Sequence, residues 1–280
     1  MKRFFAVLAG DSIYKHLAIE EEILTSIAED EIFLLLYTSS ASIVIGKNQN
    51  PWLECNLPFM KETGVKLARR LSGGGAVYHD PGNLNYSFIL HKTHYNKDRL
   101  SQTILDAVRE LGIDATLGER HIFTAADKKF SGNAFAIKKD KVIHHGTLLV
   151  DADLQNIDQL LSPTCKGIES KSIRSVPSPV INLKALKESL TLDALIQSIA
   201  EQFTGESFDA VLNDESLIDT YRSDDWLYGR CPKFKISGIH QQKPFTVGMK
   251  SARVENSDID EFENLTMSEL LLKCPQLIIS

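Results

Sequence analysis

Three segments concentrate side chains that could handle an anionic, phosphate-bearing substrate. The first is ARRLSGGGAVYHDPGNLNYSF, Ala68 to Phe88. Two arginines end an apolar stretch, then come Ser72, Gly73, Gly74 and Gly75, and a second strand-like run starts with Ala76, Val77 and Tyr78. Consecutive glycines carry a conformational entropy penalty. In return, a loop without Cβ atoms brings backbone N–H groups close to phosphate or carboxylate oxygens. Arg70 can add a planar, charged fork to the same anion. Alone, a Gly-Gly-Gly stretch is more often a plain hairpin turn. It is not a P-loop, because no Gly-Lys-Ser/Thr follows, and not a dinucleotide fingerprint, because no helix opens after it.

The second segment is KKFSGNAF, Lys128 to Phe135. A lysine on a short strand can set its ammonium on a phosphoryl oxygen as a point charge. For a single lysine, a solvated surface position is the more common role. Lys128 and Lys129 point to opposite faces of a strand, so only one can face a site. The third segment is VIHHGTLLVDADL, Val142 to Leu154. Alternation sends His144 and His145 to opposite faces, which weakens any reading of them as paired metal ligands. Gly146 leaves room for close approach of backbone or ligand.

These motifs need elements to hold them. Phe4–Leu8, Ile32–Tyr37, Ser42–Ile45, Val65–Arg69, Ala76–Tyr78 and Leu84–Leu90 read as strands. Ala115–Leu117, Asn133–Lys138 and Lys141–Val150 follow, with short connections that favour antiparallel pairing. Asp11 and Ser12 can cap a helix bearing Ile13, Leu17, Ile23, Leu24 and Ile27. Asn56 and Gly64 bracket a short helix, Leu100–Leu111 keeps helical spacing up to Gly112, and Thr191 caps a helix through Phe203. The predicted class is α+β, with mixed and largely antiparallel sheets and flanking helices, rather than a doubly wound parallel sheet.

Composition narrows the function. The chain has 280 residues and a net charge of −6, which argues against general nucleic-acid binding. Cys55, Cys165, Cys231 and Cys274 form no CxxC pair and read as reduced thiols of a cytoplasmic protein. The apolar N-terminus is too short for a signal peptide, and no stretch approaches the ~20 apolar residues that span a bilayer. A boundary is expected near Cys231-Pro232, giving a catalytic part, 1–232, and a C-terminal segment, 233–280. The latter is too small to bury much apolar surface alone. Its residues Phe245–Gly248 read as a strand and Met267–Leu272 as a short helix. Glu255, Asp258, Asp260, Glu261 and Glu263 between them read as a solvated linker.

Taken in order, SIVIGKNQNPWLECN (Ser42 to Asn56), RRLSGGGAVYHDPGN (Arg69 to Asn83), KKFSGNA (Lys128 to Ala134) and HHGTLL (His144 to Leu149) resemble the lipoate–protein ligase A family. The helix motif Leu17-Ala18-Ile19-Glu20-Glu21, the stretch Lys166 to Val176 and DDWLYGRCPKF (Asp224 to Phe234) extend the likeness over roughly residues 5–235. The resemblance implies the mixed-sheet fold shared with biotin protein ligases. It implies activation of lipoate by ATP to lipoyl-AMP and transfer to a lysine of lipoyl carrier domains, in E2 subunits of 2-oxoacid dehydrogenases or glycine cleavage H protein. It places Lys129 as the catalytic group. It places Arg70, Gly73, Gly74, Gly75, Ala76, Val77, Tyr78, Asn83 and Lys129 around ATP or the adenylate. Lipoate falls to Arg70, Ser72, Gly75, Lys129, Ser131, Gly132, His145, Gly146 and Thr147, with apolar side chains of Ile43-Val44-Ile45 and around Val77 along its tail. Mg2+ is implied beside the departing pyrophosphate, without assignable ligands. The expected state is a monomer.

The chain departs from the family pattern at three places. Arg120-His121 stand where an Asn-Asp pair is usual. Pro177 and Pro179 replace two arginines. The accessory C-terminal segment is shortened. Two other readings stay open: an octanoyltransferase or lipoyl amidotransferase using Cys165 as nucleophile, and a binding or transfer subunit that needs a separate accessory protein.

Overall fold

The structure is a computed structural model that describes residues 1–118 and 122–279, so the Arg120-His121 pair lies outside the described residues. In chain order it runs β1 (Lys2–Val7), α1 (Ile13–Ser26), β2 (Glu31–Tyr37), β3 (Ser42–Ile45), α2 (Pro51–Glu54), α3 (Leu57–Thr63), β4 (Lys66–Arg69) and β5 (Val77–His79). There follow β6 (Asn83–His91), α4 (Lys97–Glu110), β7 (Ala115–Leu117), β8 (Phe123–Ala125), β9 (Lys128–Ser131), β10 (Asn133–Lys138), β11 (Lys141–Leu149) and α5 (Ile157–Leu160). The last third holds β12 (Ile168–Ser170), α6 (Leu192–Phe203), β13 (Glu206–Ser207), α7 (Ser216–Arg222), β14 (Phe234–His240), β15 (Lys243–Lys250), β16 (Arg253–Ser257) and α8 (Met267–Lys273). The class is α+β, as expected.

Local chemistry explains many of the boundaries. The Ser12 hydroxyl accepts from the Lys15 N–H, and Asn56 Oδ1 accepts from the Phe59 N–H. The Thr191 hydroxyl accepts from the Ala194 N–H. Gly64 closes α3 in the left-handed region, where a Cβ is disfavoured.

The chain divides into two compact units, the first made of residues 1–42, 77–154 and 177–218, the second of residues 43–76, 155–176 and 219–280. The first is built on a six-stranded sheet of order β10-β11-β6-β2-β1-β13. Pairing is antiparallel from β10 to β2 and parallel from β2 through β1 to β13. Leu34, Leu36, Leu84, Tyr86 and Phe88 from the sheet share one core with Ile104 and Val108 of α4 and Leu195 and Ile199 of α6. A second small sheet, β7-β8-β9, turns at Ala126-Asp127, where both residues have positive φ, as a two-residue hairpin of right-handed twist requires.

The second unit holds the sheet β12-β14-β15-β16. Its core joins Trp52 and Cys165 to Phe234, Ile236, Phe245, Val247, Phe262 and Leu270. The C-terminal residues therefore share their core with residues far upstream, and β14 pairs antiparallel with β12. The expected solvated linker is a correction. Arg253–Ser257 is a strand and Asp260–Phe262 a 3-10 turn, because Val254 and Phe262 alternate with the acids and are buried (3% and 0% exposed).

Candidate active site

In the first unit, β9 carries the paired lysines. Lys128 is exposed and Lys129 half-buried, as opposite strand faces require. The Lys129 backbone is fixed on both sides: its N–H donates to the Pro179 carbonyl and its carbonyl accepts from the Ile181 N–H, both at 3.0 Å. The proline-bearing stretch that lacks the two arginines is thus hydrogen-bonded to the lysine strand through main chain. At its other end, the Lys129 side chain folds over Gly132, where a Cβ would lie 3.2 Å from Nζ. Burial lowers the pKa of this ammonium from 10.5.

Gly132 is pinned in turn by β11. Its N–H donates to Thr147 Oγ1 at 3.2 Å, and the Thr147 N–H donates to its carbonyl at 2.9 Å. Next to Thr147, Gly146 lies against the fully buried Tyr86, whose ring a Cβ at 146 would overlap. Burial pushes the Tyr86 phenol up. The structure thus brings together Lys129, Ser131, Gly132, Gly146 and Thr147. His145 is directed elsewhere. Its Nδ1 lies 3.2 Å from Glu20 Oε2, and the Tyr37 hydroxyl donates to Glu20 Oε1 at 3.0 Å. Glu20 sits in a named helix motif, but its buried partners come from β2 and β11, and no spacing in the sequence signals that meeting. His144 is buried against the Tyr95 ring.

Asn83, at the start of β6, is fully buried; its Nδ2 donates to Asn85 Oδ1 at 3.1 Å. Among the described residues its Oδ1 has no hydrogen-bond partner. Val77 is half-buried on β5, and burial pushes the Tyr78 phenol up to about 12, helped by Asp80 and Asp153.

In the second unit, β4 delivers two arginines into the glycine loop. Arg69 is completely buried and donates to carbonyls: Nε to Trp226 O, Nη1 to Gly46 O, Lys47 O and Gln49 O, and Nη2 to Leu227 O. Burial pulls it down to about 10, so it stays charged at neutral pH. Arg70 organises the loop itself. Its Nε donates to the Ser72 hydroxyl, Nη1 to Val44 O, and Nη2 to Gly73 O and Gly75 O at 2.6 and 2.8 Å. Gly74 has φ +85, and its carbonyl occupies the space a Cβ at Gly46 would need. Both positions therefore demand glycine.

The Ala76 N–H is engaged by Ser175, whose hydroxyl accepts from it at 2.8 Å and from Gln49 Nε2 at 3.1 Å. The same hydroxyl donates to the buried Glu54 carboxylate at 2.5 Å, and Arg174 pairs with the other Glu54 oxygen at 2.7 Å. Gln49, Glu54 and Ser175 were absent from the expected site, because only tertiary pairing joins residues 49, 54 and 175. Cys165 is 2% exposed, sits in the apolar core, and burial raises its thiol to about 12. That is the reverse of an activated nucleophile.

The first unit thus presents a strand-borne lysine over a glycine, and the second an arginine-braced glycine loop. The chain matches the family model for the lipoyl protein ligase A/B catalytic domain over residues 12–204 and belongs to that family. It is 36% identical over 237 residues to a lipoate-protein ligase A of Psychrobacter cryohalolentis, covering 78% of this chain and 70% of that one. Among solved structures it resembles P. falciparum LipL1 in complex with lipoate, with TM-score 0.73, 25% identity, and 99% and 96% of the two chains covered. It also resembles a lipoate-protein ligase A bound with ATP, with TM-score 0.68, 27% identity and coverage of 82% and 100%. A third likeness is to a bi-partite lipoate protein ligase from Thermoplasma acidophilum, studied with its E2 lipoyl domain: TM-score 0.66, 26% identity, coverage 82% and 97%.

Proposed function

We propose that this chain is an ATP-dependent lipoate–protein ligase. A lipoate carboxylate oxygen attacks the α-phosphorus of ATP, the bond to the departing pyrophosphate breaks, and lipoyl-AMP forms. The neutral ε-amine of a carrier lysine then attacks the acyl carbon, AMP leaves, and the amine gives up its proton. The observation that carries this reading is the half-buried Lys129 folded over Gly132. A desolvated ammonium stabilises charge on carboxylate and phosphoryl oxygens far better than one in water.

Beside it we assign Ser131, Gly132, Gly146 and Thr147 to the lipoate side, and leave out His145, which faces Glu20. Gly73, Gly74, Gly75, Ala76, Val77, Tyr78 and Asn83 belong to the adenylate. Arg70 and Ser72 shape the glycine loop, and Arg70 adds its charge. Residues 1–232 carry the reactive groups, and 233–280 act as an accessory segment that completes the core of the second unit. Among the described residues no group of three or more His, Cys, Asp or Glu could hold a metal ion. Mg2+ would be carried chiefly by the phosphates of ATP, as is usual for an ion that takes few protein ligands. The carrier is a lipoyl domain of an E2 subunit or of glycine cleavage H protein. Unpaired thiols at all four cysteines fit a reducing cytoplasm, and the working unit is a monomer. No helix among the described residues is long and apolar enough to cross a membrane.

The test is lipoate-dependent exchange of labelled pyrophosphate into ATP, followed by label transfer to an apo lipoyl domain. Exchange that vanishes in Lys129→Ala is the expected result. Acyl transfer without ATP, and no exchange in the parent, would move the chain to the thiol-dependent transferases. Transfer only from supplied lipoyl-AMP would make it a subunit needing a separate accessory protein.

A further inference from the structure

We propose that the outer edge of β10 is the docking surface for the carrier, and that it fits an acidic lipoyl domain. This rests on the ligase reading above. β10 ends the six-stranded sheet, so its outward backbone groups can accept a further strand. Phe135 and Ile137, two residues apart on one face of that strand, are 45% and 48% exposed. Large apolar side chains on a sheet edge are a pairing hazard unless something covers them.

Continuity with the reactive lysine selects the occupant. β10 begins at Asn133, the residue after Gly132, and Gly132 lies beneath the Lys129 ammonium. A partner laid along this edge has one end at the reacting atoms and runs roughly 20 Å away from them at strand rise. The only macromolecule the reaction requires is the one whose lysine must arrive there.

Charge gives the partner's sign. The chain is acidic overall, at −6. Around this edge the balance reverses. Lys97 stands 5.8 Å over the Phe135 ring. Lys138 and Lys141 flank the hairpin turn Lys139-Asp140, and the Lys92 N–H donates to the Asp140 carbonyl in that turn. Asp140 is held by His91 at 3.1 Å, and Lys138 by Glu21 at 3.0 Å. Lys138 at the strand's end is a charged edge residue of the kind that discourages unselective strand pairing. An acidic domain meets no such obstacle, and its encounter is accelerated by the field.

The test uses the full chain, an isolated apo lipoyl domain of net negative charge, and supplied lipoyl-AMP. The Phe135→Ser/Ile137→Ser double variant and Lys97→Glu should each raise the KM for the lipoyl domain about tenfold or more. Lipoyl-AMP synthesis and the melting temperature should not change, which separates docking from folding and from chemistry. Added salt should raise the parent's KM and leave that of Lys97→Glu less affected. Direct titration of the lipoyl domain, followed by fluorescence anisotropy, reads docking without turnover, so a parent that makes no adenylate fails the ligase reading without deciding this one. Unchanged KM and unchanged titration in both variants overturn the proposal. So does a concentration-dependent dimer of the chain that the double variant abolishes while lipoyl-domain binding persists, because the edge would then serve a second copy.

Discussion

The Ala76 amide donates to the Ser175 hydroxyl at 2.8 Å, so a backbone donor of the glycine loop is held by a side chain 99 residues away. Ser175 gives its own proton to Glu54, which the protein keeps 4% exposed. Replacing the hydroxyl strands the Ala76 N–H, leaves Glu54 Oε2 with the Ser175 N–H alone and leaves the Gln49 amide with the Ile173 carbonyl. Ser175→Ala should therefore cost about 1–3 kcal/mol of stability, read as a lower urea midpoint with an unchanged slope. It should also alter the KM for ATP more than the KM for lipoate. A midpoint and KM equal to the parent's would show that the bond positions nothing.

Lys129 supplies a prediction in pH. Burial lowers its pKa from 10.5, so between the lowered value and 10.5 the unfolded chain binds more protons than the folded one. Stability from this group therefore rises with pH across that window; below it, the desolvation cost is present in full. If adenylation uses this ammonium as proposed, its alkaline limb should fall below 10.5 and move upward in Lys129→Arg. Lys129→Ala should lose about 10²–10³ in adenylation rate, while the exposed Lys128→Ala keeps most of it. Stopped-flow release of pyrophosphate over a pH series measures both. Equal losses in the two alanine variants would contradict the strand-face assignment.

Cys165 is expected to be a spectator. Its thiol, raised to about 12, is protonated at neutral pH and packed in a core. Cys165→Ser should keep ATP-dependent ligation, with a modest fall in melting temperature from placing a hydroxyl among apolar neighbours. Abolished ligation in a folded Cys165→Ser protein would reopen the thioester route.

Deleting residues after Lys233 should do more than remove an accessory. It strips Phe234, Ile236, Phe245, Val247 and Leu270 away from Trp52 and Cys165, and takes β14 from β12. Residues 43–76 should then become protease-sensitive, and near-ultraviolet dichroism from Trp52 should collapse. A truncated protein that still makes lipoyl-AMP at the parent rate would show that the upstream segments hold their shape alone.

Much of the fold was written locally. Ser12, Asn56, Gly64 and Thr191 cap the helices that their side chains or conformations favour, and the strand runs from Ile32 to Lys141 follow apolar periodicity. The lysine hairpin was legible for the same reason, since β9, Gly132 and the β11 glycine lie in short, patterned stretches. What the chain did not reveal depends on long-range partners. Nothing local in the sequence brings Tyr37 and His145 to Glu20, or Ser175 and Arg174 to Glu54. The acid-rich tail misled because charge density masked two buried apolar residues, Val254 and Phe262.

Arg69 carries an implication for the order in which the protein is made. Its guanidinium is caged by the carbonyls of Gly46, Lys47 and Gln49 on one side and of Trp226 and Leu227 on the other. The first half of that cage leaves the ribosome early; the second waits for residue 227. Until then a bare cation sits where the glycine loop begins, and the loop beside Arg70 has no fixed base. The nascent chain can thus assemble its lysine hairpin while the base of the glycine loop is still unfinished, so that loop has its full set of anchors only once about four-fifths of the polypeptide has been synthesised.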